Sequence, residues 1–436
     1  MSADDGASAA LPPGVELSQL PTGIHVVTEE VPSVRSVALG LWVRVGSRDE
    51  DPAHAGVSHF LEHLLFKGTE RHSAVEIAQI FDGLGASVNA ATSKESTHLH
   101  GRLLDVHTDR AFELLAEMLL GPSYPEVDAE REVVLEEIAM YEDEPQDRVH
   151  DVLADAVFGS HPLGRRVLGE ADVIASIPIP EIDSFHRSHY VGPSIVVGAA
   201  GHLEHGHVIE LAERHLAPAA GSLDGPANGS TPGVDPRIRF YQKDTEQYHV
   251  CFGGPGISRG DERRFALAVL DAIFGGSTSS RLFQEVREKR GLAYAVGSYT
   301  EQFSESGTVA MYVGTREDNV GEACEIIGRE LAALRADGAS DEELQRAKEH
   351  VKGRMVLGLE ATAARMSRIS RAILFDVPLL SLDEMLARVD AVEAEDLAEL
   401  AGELYDPARL SAACIGPSEE RFRSALLPVS EALAAA

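Results

Sequence analysis

Apolar positions recur along this 436-residue chain at two spacings, and the alternation between them predicts its elements. Continuous apolar runs at 36–43 (SVALGLWV), 194–201 (SIVVGAAG), 248–253 (YHVCFG) and 409–416 (RLSAACIG) read as strands. Residues 86–91 and 96–103 read as a strand pair. Helical spacing marks 105–120, which ends at Gly121-Pro122, and 125–144, closed by Pro145. Residues 263–274 give another helix. Ser73-Ala74-Val75-Glu76 has the form of a capping box, in which Ser and Glu satisfy each other's backbone N–H groups. It opens a helix that stops at Gly83-Leu84-Gly85. Strand hairpins mixed with long helices predict an α+β fold.

The pattern repeats. Shifted by roughly 213 residues, the strand and helix that open the chain fall on 248–253 and 263–274, and 194–201 falls near 409–416. Between the copies, 218–236 is dense in Gly, Pro, Ser and Asn and nearly free of large apolar side chains, so it reads as a linker. The expectation is two homologous sandwich-like domains, 14–217 and 237–425, joined by 218–236. Each is a mostly antiparallel sheet with helices packed on it.

Composition narrows the function. The 71 acidic residues against 38 basic ones give a net charge of −33, which argues against nucleic-acid binding. A solvated acidic surface is the plainer role for that charge; steering of basic peptides is the other. No stretch approaches the ~20 apolar residues of a membrane span. Residues 1–13 lack the basic and apolar regions of a signal peptide and read as a short disordered lead. Cys251, Cys324 and Cys414 are odd in number and scattered, which suits buried thiols in a reducing cytoplasm.

His59-Phe60-Leu61-Glu62-His63 carries the chemistry. Two histidines four apart fall on one side of a helix and can grip one metal ion. Glu62, one residue before the second, lies on nearly the same face and can act on a water. The inverted H-x-x-E-H order is that of a zinc peptidase. A solvated helix face would also carry such residues, but Leu61, Leu64, Leu65 and Phe66 make this one apolar. Polar groups buried among them need partners. Shifted by the repeat, His59, Glu62 and His63 fall on Ala272, Gly275 and Gly276, so the second copy lacks the ligands.

A catalytic zinc site normally has three protein ligands and one open position. The helix at 127–142 offers Glu130, Glu132, Glu136 and Glu137. Glu137 is flanked at helical spacing by Val133, Val134, Met140 and Tyr141, which places it in an apolar stripe. Glu136 leans toward solvent. Two roles fit Glu130: orienting a ligand from the same stripe, or complementing the helix dipole as an exposed first-turn acid.

With these runs in hand, the chain resembles the pitrilysin/insulysin family of inverted-motif zinc peptidases. It is closest in kind to the short-chain branch that includes the mitochondrial processing peptidase beta subunit and bacterial processing peptidases. Leu65-Phe66-Lys67-Gly68-Thr69, Asn89-Ala90-Ala91-Thr92 and the run 279–294 also match. The resemblance implies one Zn2+ per chain on His59, His63 and Glu137, Glu62 as general base and Glu130 in support. It implies Asn89 and Ala90 on a strand edge that receives the substrate backbone, and Arg287 with Tyr294 acting on the substrate from the second half. The gap from His63 to Glu137 is slightly shorter than the family usually shows, which keeps Glu136 as a rival ligand.

The function expected is a zinc metalloendopeptidase for extended peptides or presequence-like segments. The chain carries both the metal residues and the Arg/Tyr pair, so a homodimer is the expected assembly. A non-catalytic assembly subunit and a maturation protease for one partner are the alternatives. Three clusters are set aside. His98 and His100 share a strand face with no acid beside them, 202–207 (HLEHGH) reads as a solvated loop, and 253–256 (GGPG) reads as turn chemistry.

Overall fold

The computed structural model describes residues 11–219, 221–222 and 229–435. The lead at 1–10, and 220 and 223–228 of the expected linker, lie outside the described residues; 229–237 carry neither helix nor strand.

Two sheets organise the chain. The first contains β1 (Val15–Gln19), β2 (His25–Glu30), β3 (Ser36–Val43), β4 (Ser87–Thr92), β5 (Thr97–Leu104) and β6 (Ile195–Gly201), in the order β1-β2-β6-β3-β5-β4. The second contains β7 (Ile238–Gln242), β8 (Gln247–Gly256), β9 (Ala293–Gln302), β10 (Gly307–Arg316) and β11 (Ser411–Gly416), in the order β7-β11-β8-β10-β9. Apart from the additional edge strand β1, the sheets share one plan. In each, one parallel pair (β2 with β6, β7 with β11) is followed by antiparallel neighbours, and a hairpin strand, β4 or β9, forms the far edge.

The helices that place the chemistry are α1 (Val57–Leu64), α2 (Ala74–Gly83), α3 (Thr108–Leu120), α4 (Val127–Asp143) and α5 (Pro145–Phe158). The α2 capping box forms as expected, with Ser73 and Glu76 bonded reciprocally. Residues 105–107 make a 3-10 turn before α3. Pro145 starts α5 at its first turn, where its missing N–H costs nothing.

The compact units of the fold differ from the halves of the sequence. One consists of Met1–Leu135, Val167–Gly225 and Val356–Met385, the other of Glu136–Arg166, Pro226–Met355 and Leu386–Ala436. Each half lends a helix. Thr362–Leu374 lies against β2, β3 and β6, where Met366 and Ile369 pack with Val27, Ala38, Trp42 and Val196, and Trp42 Nε1 reaches Met366 Sδ at 3.4 Å. In the other unit α5 lies against β7, β8 and β11, where Val149 and Leu153 pack with Cys251, Ala413 and Ile415.

Glycines set how closely the helices approach. A Cβ at Gly40 would meet Met366 Sδ at 2.6 Å, and one at Gly253 would meet the Val309 carbonyl oxygen at 2.7 Å and Leu153 Cδ2 at 3.0 Å. This corrects the expectation of a turn at 253–256, which lies within β8. Pro255 lies beyond Gly253, where the pairing with β11 ends, and stays paired with Thr308 of β10. The three cysteines are free and buried, and burial pushes the Cys324 thiol up to about 12. Among the described residues, no helix is long and apolar enough to cross a membrane.

Candidate active site

The motif folds as α1. His59 is buried, and Glu62 and His63 are half-buried. One donor atom each from His59, His63 and Glu137 lie within 4.8 Å of one another, the one such cluster of three or more metal-ligating groups among the described residues. Two imidazoles and a carboxylate are a fitting donor set for zinc.

The second layer of bonds favours the same use. His63 Nδ1 is 2.8 Å from Glu130 Oε1. A carboxylate only accepts, so Nδ1 carries the proton and Nε2 keeps the lone pair a metal needs. The other Glu130 oxygen, Oε2, pairs with Lys67 Nζ at 2.5 Å. Glu130 is 5% exposed, so of the two roles weighed for it, an exposed first-turn acid does not describe it. Thr92 Oγ1, at the end of β4, donates to Glu62 Oε2 at 2.6 Å.

Along α4 the buried positions are Val127, Glu130, Val134 and Ile138, with Glu137 half-buried and Glu136 exposed. Only part of the stripe expected around Glu137 is buried. Val133 and Met140 are 50% and 65% exposed, and the buried stripe runs through Val134 and Ile138. The strand carrying Asn89 and Ala90 is the edge of its sheet, with Asn89 exposed and Ala90 buried.

Arg287 lies in a π-helical turn, Phe283–Glu288, and Tyr294 on the edge strand β9. The structure brings these two together. Arg287 Nη1 donates to the Tyr294 carbonyl at 3.0 Å, and its guanidinium carbon lies 4.5 Å from the Tyr294 ring centre and 4.7 Å from that of Phe283. The Tyr294 side chain is held there while remaining 80% exposed.

The set-aside clusters have ordinary partners. His98 stacks flat on Trp42 at 3.8 Å, and burial holds it neutral, with its pKa lowered to about 3. His202 and His207 pair with Asp105 and Asp109, and His205 bonds Ser18 and Thr28. His205 also opens a helix, His205–His215, where a loop had been expected. Sequence reasoning missed Thr92 and Lys67 as partners of the site, although both stand in runs that match the family.

The fold and the metal cluster define an inverted-motif zinc metallopeptidase. The chain belongs to the insulinase family, peptidase family M16. It matches the family described as insulinase (peptidase family M16) over residues 25–171 and the one described as peptidase M16 inactive domain over 176–351. A zinc protease from Streptomyces coelicolor is 42% identical over 94% of this chain and 92% of its own length. One from Bacillus subtilis is 40% identical over 88% of this chain and 94% of its own. Two solved structures share the fold at 22% identity. A peptidase M16 inactive domain from Pseudomonas fluorescens has a TM-score of 0.87, covering 93% of this chain and 98% of its own. A protease from Helicobacter pylori has a TM-score of 0.86, covering 94% of this chain and 100% of its own. The family matched over the second segment is described as inactive.

Proposed function

We propose that this zinc peptidase is an endopeptidase for extended peptides and presequence-like segments, using one zinc ion per chain on His59, His63 and Glu137. The observation that carries it is the meeting of those three donors, with Glu62 next to His63 on the same helix. Zinc held there supplies Lewis-acid chemistry, polarising a carbonyl and acidifying water. Glu62 takes the proton of the attacking water and passes it to the leaving amine. Thr92 holds one Glu62 oxygen in place. Glu130 fixes the His63 tautomer.

Tyr294 donates a hydrogen bond to the developing oxyanion, and Arg287 holds a substrate carbonyl. The peptide adds as a strand at Asn89 and Ala90. The edge position of β4 supports this, because an edge strand has backbone groups to offer. In this reading 14–217 is the zinc-binding domain and 237–425 its homologue, joined by 218–236. One chain carries every residue the reaction uses, which favours a homodimer over a mixed pair. Three free cysteines favour a reducing cytoplasm.

The test is Glu62→Gln. The variant should keep its zinc and lose cleavage of a peptide library read by mass spectrometry, and wild type stripped of zinc by a chelator should lose cleavage as well. Wild-type cleavage by the zinc-loaded variant would remove Glu62 from its role.

A further inference from the structure

Helix α1 is eight residues long, so its ends decide where its side chains stand. Its first turn cannot be capped in the usual way. Gly56, at the N-cap, has φ +98°, and a Cβ there would come within 2.8 Å of the Leu168 carbonyl oxygen and 2.9 Å of Gly169 Cα. Ser, Thr, Asp or Asn, the usual N-cap residues, would need both that conformation and that space. The N-cap residue accordingly makes no side-chain cap bond.

Glu50 caps the helix from outside. Its Oε2 accepts from Gly56 N–H at 2.7 Å and its Oε1 from Ser58 N–H at 2.8 Å. The residue is 3% exposed. Ser58 is the neighbour of His59, so the anchored N–H stands one residue from the first metal ligand.

The segment that carries Glu50 is tied down on its other side. Ser47 N–H donates to Ser93 O at 3.2 Å, and Arg48 N–H to Lys94 O at 3.0 Å. The Arg48 guanidinium pairs with Glu95 at 2.6 Å, both side chains buried. A Cβ on Gly46 would lie 2.2 Å from the Ser93 carbonyl oxygen. Residues 93–96 form the turn between β4 and β5, and Thr92 just before them holds Glu62. Five residues, 46–50, thus link the edge hairpin to the motif helix.

We infer that Glu50 is a positioning residue for the metal centre: its buried carboxylate fixes the first turn of α1, and so where His59 stands relative to His63. The inference rests on the metal site proposed above. Two acceptor oxygens are required. An amide has one, and would turn its NH2 toward the second backbone N–H. Ligands displaced by about 1 Å lose on the order of 10²-fold in function.

The experiment compares Glu50→Gln with Ser73→Ala, which removes the α2 cap. Zinc affinity is read by competition with a chromophoric chelator, geometry by the visible spectrum of the cobalt-substituted protein, and turnover by kcat and KM. Glu50→Gln should weaken zinc about 10- to 100-fold, shift the cobalt bands, and lower kcat with KM nearly unchanged. Ser73→Ala should lower the melting temperature and leave zinc affinity and the cobalt spectrum alone. A folded Glu50→Gln protein with wild-type zinc affinity and cobalt spectrum would overturn the inference. So would a variant that never folds even with zinc, since Glu50 would then serve folding alone. Wild type that binds no zinc, or His59→Ala that binds it as tightly, would instead defeat the metal site itself.

Discussion

Glu130→Gln separates the roles of the two oxygens of one carboxylate. Oε1 takes the Nδ1 proton of His63 and Oε2 takes the Lys67 ammonium. Glutamine keeps one acceptor oxygen and gains an NH2 group. With its oxygen toward His63, the NH2 faces Lys67. With its oxygen toward Lys67, the NH2 faces Nδ1, which then accepts; Nε2 carries the ring proton and is lost as a ligand. The Lys67 side chain is 31% exposed and can turn to water, whereas the side chains of His63 and Glu130 are 22% and 6% exposed. The first arrangement is therefore cheaper, and some metal binding survives. Loss of such an outer partner costs about 10- to 100-fold in metal affinity, or roughly 1.4–2.7 kcal/mol. Adding Lys67→Met removes the competitor for the amide, so the double variant should bind zinc more tightly than Glu130→Gln alone. The assay is chelator competition on both variants and wild type, with kcat/KM alongside. Wild-type zinc affinity in Glu130→Gln would refute the tautomer argument, and no recovery in the double variant would refute the part given to Lys67.

Three further outcomes follow from the geometry. Thr92→Val deletes the donor to Glu62 and keeps the side-chain shape; a hydrogen bond to a charged group is worth about 1.5–3 kcal/mol, so kcat should fall about tenfold or more while zinc affinity stays put. Gly253→Ala places a methyl against the Val309 carbonyl, which cannot turn aside, and should cost about 1–3 kcal/mol in thermal unfolding; an unchanged melting temperature would contradict it. Arg281 above all, then Ser340, holds the Glu343 carboxyl down to about 2. Because the folded pKa lies below the ordinary ~4.3, that stabilisation is present above about pH 4.3 and is lost as pH falls through about 2. The stability gap between wild type and Glu343→Gln should close across that window, and a gap constant down to pH 2 would refute it.

Local chemistry was legible in the sequence where neighbours along the chain decide the outcome. The Ser73–Glu76 box, the β4–β5 pair and the four-residue spacing of His59 and His63 are such cases. The duplication was legible because strand periodicity survives divergence, and apart from β1 the two sheets repeat the same strand order. Contacts between distant residues were not. No pattern within 253–256 shows that these residues continue β8 against β10 beyond the point where β11 stops. Glu137 was found partly for the wrong neighbours, since an apolar residue at helical spacing need not be buried, as Val133 and Met140 show. Glu50 and Thr92 lie close to the motif in sequence, yet their roles depend on a glycine N-cap and a hairpin end that only coordinates display.

The exchange of helices between the halves governs how the chain can be made. Synthesis from the N-terminus completes β2, β3 and β6 at residue 201, but the helix that covers their face ends at residue 374. Until then Val27, Ala38, Trp42 and Val196 have no lid, and an uncovered sheet face invites association with other chains. The earlier half gives α5 in return, and it must wait for β8 and for β11, which ends at residue 416. Neither sheet therefore covers this face with a helix from its own half of the polypeptide. A break near residue 225 would leave two fragments, each holding the helix that covers one face of the other's sheet.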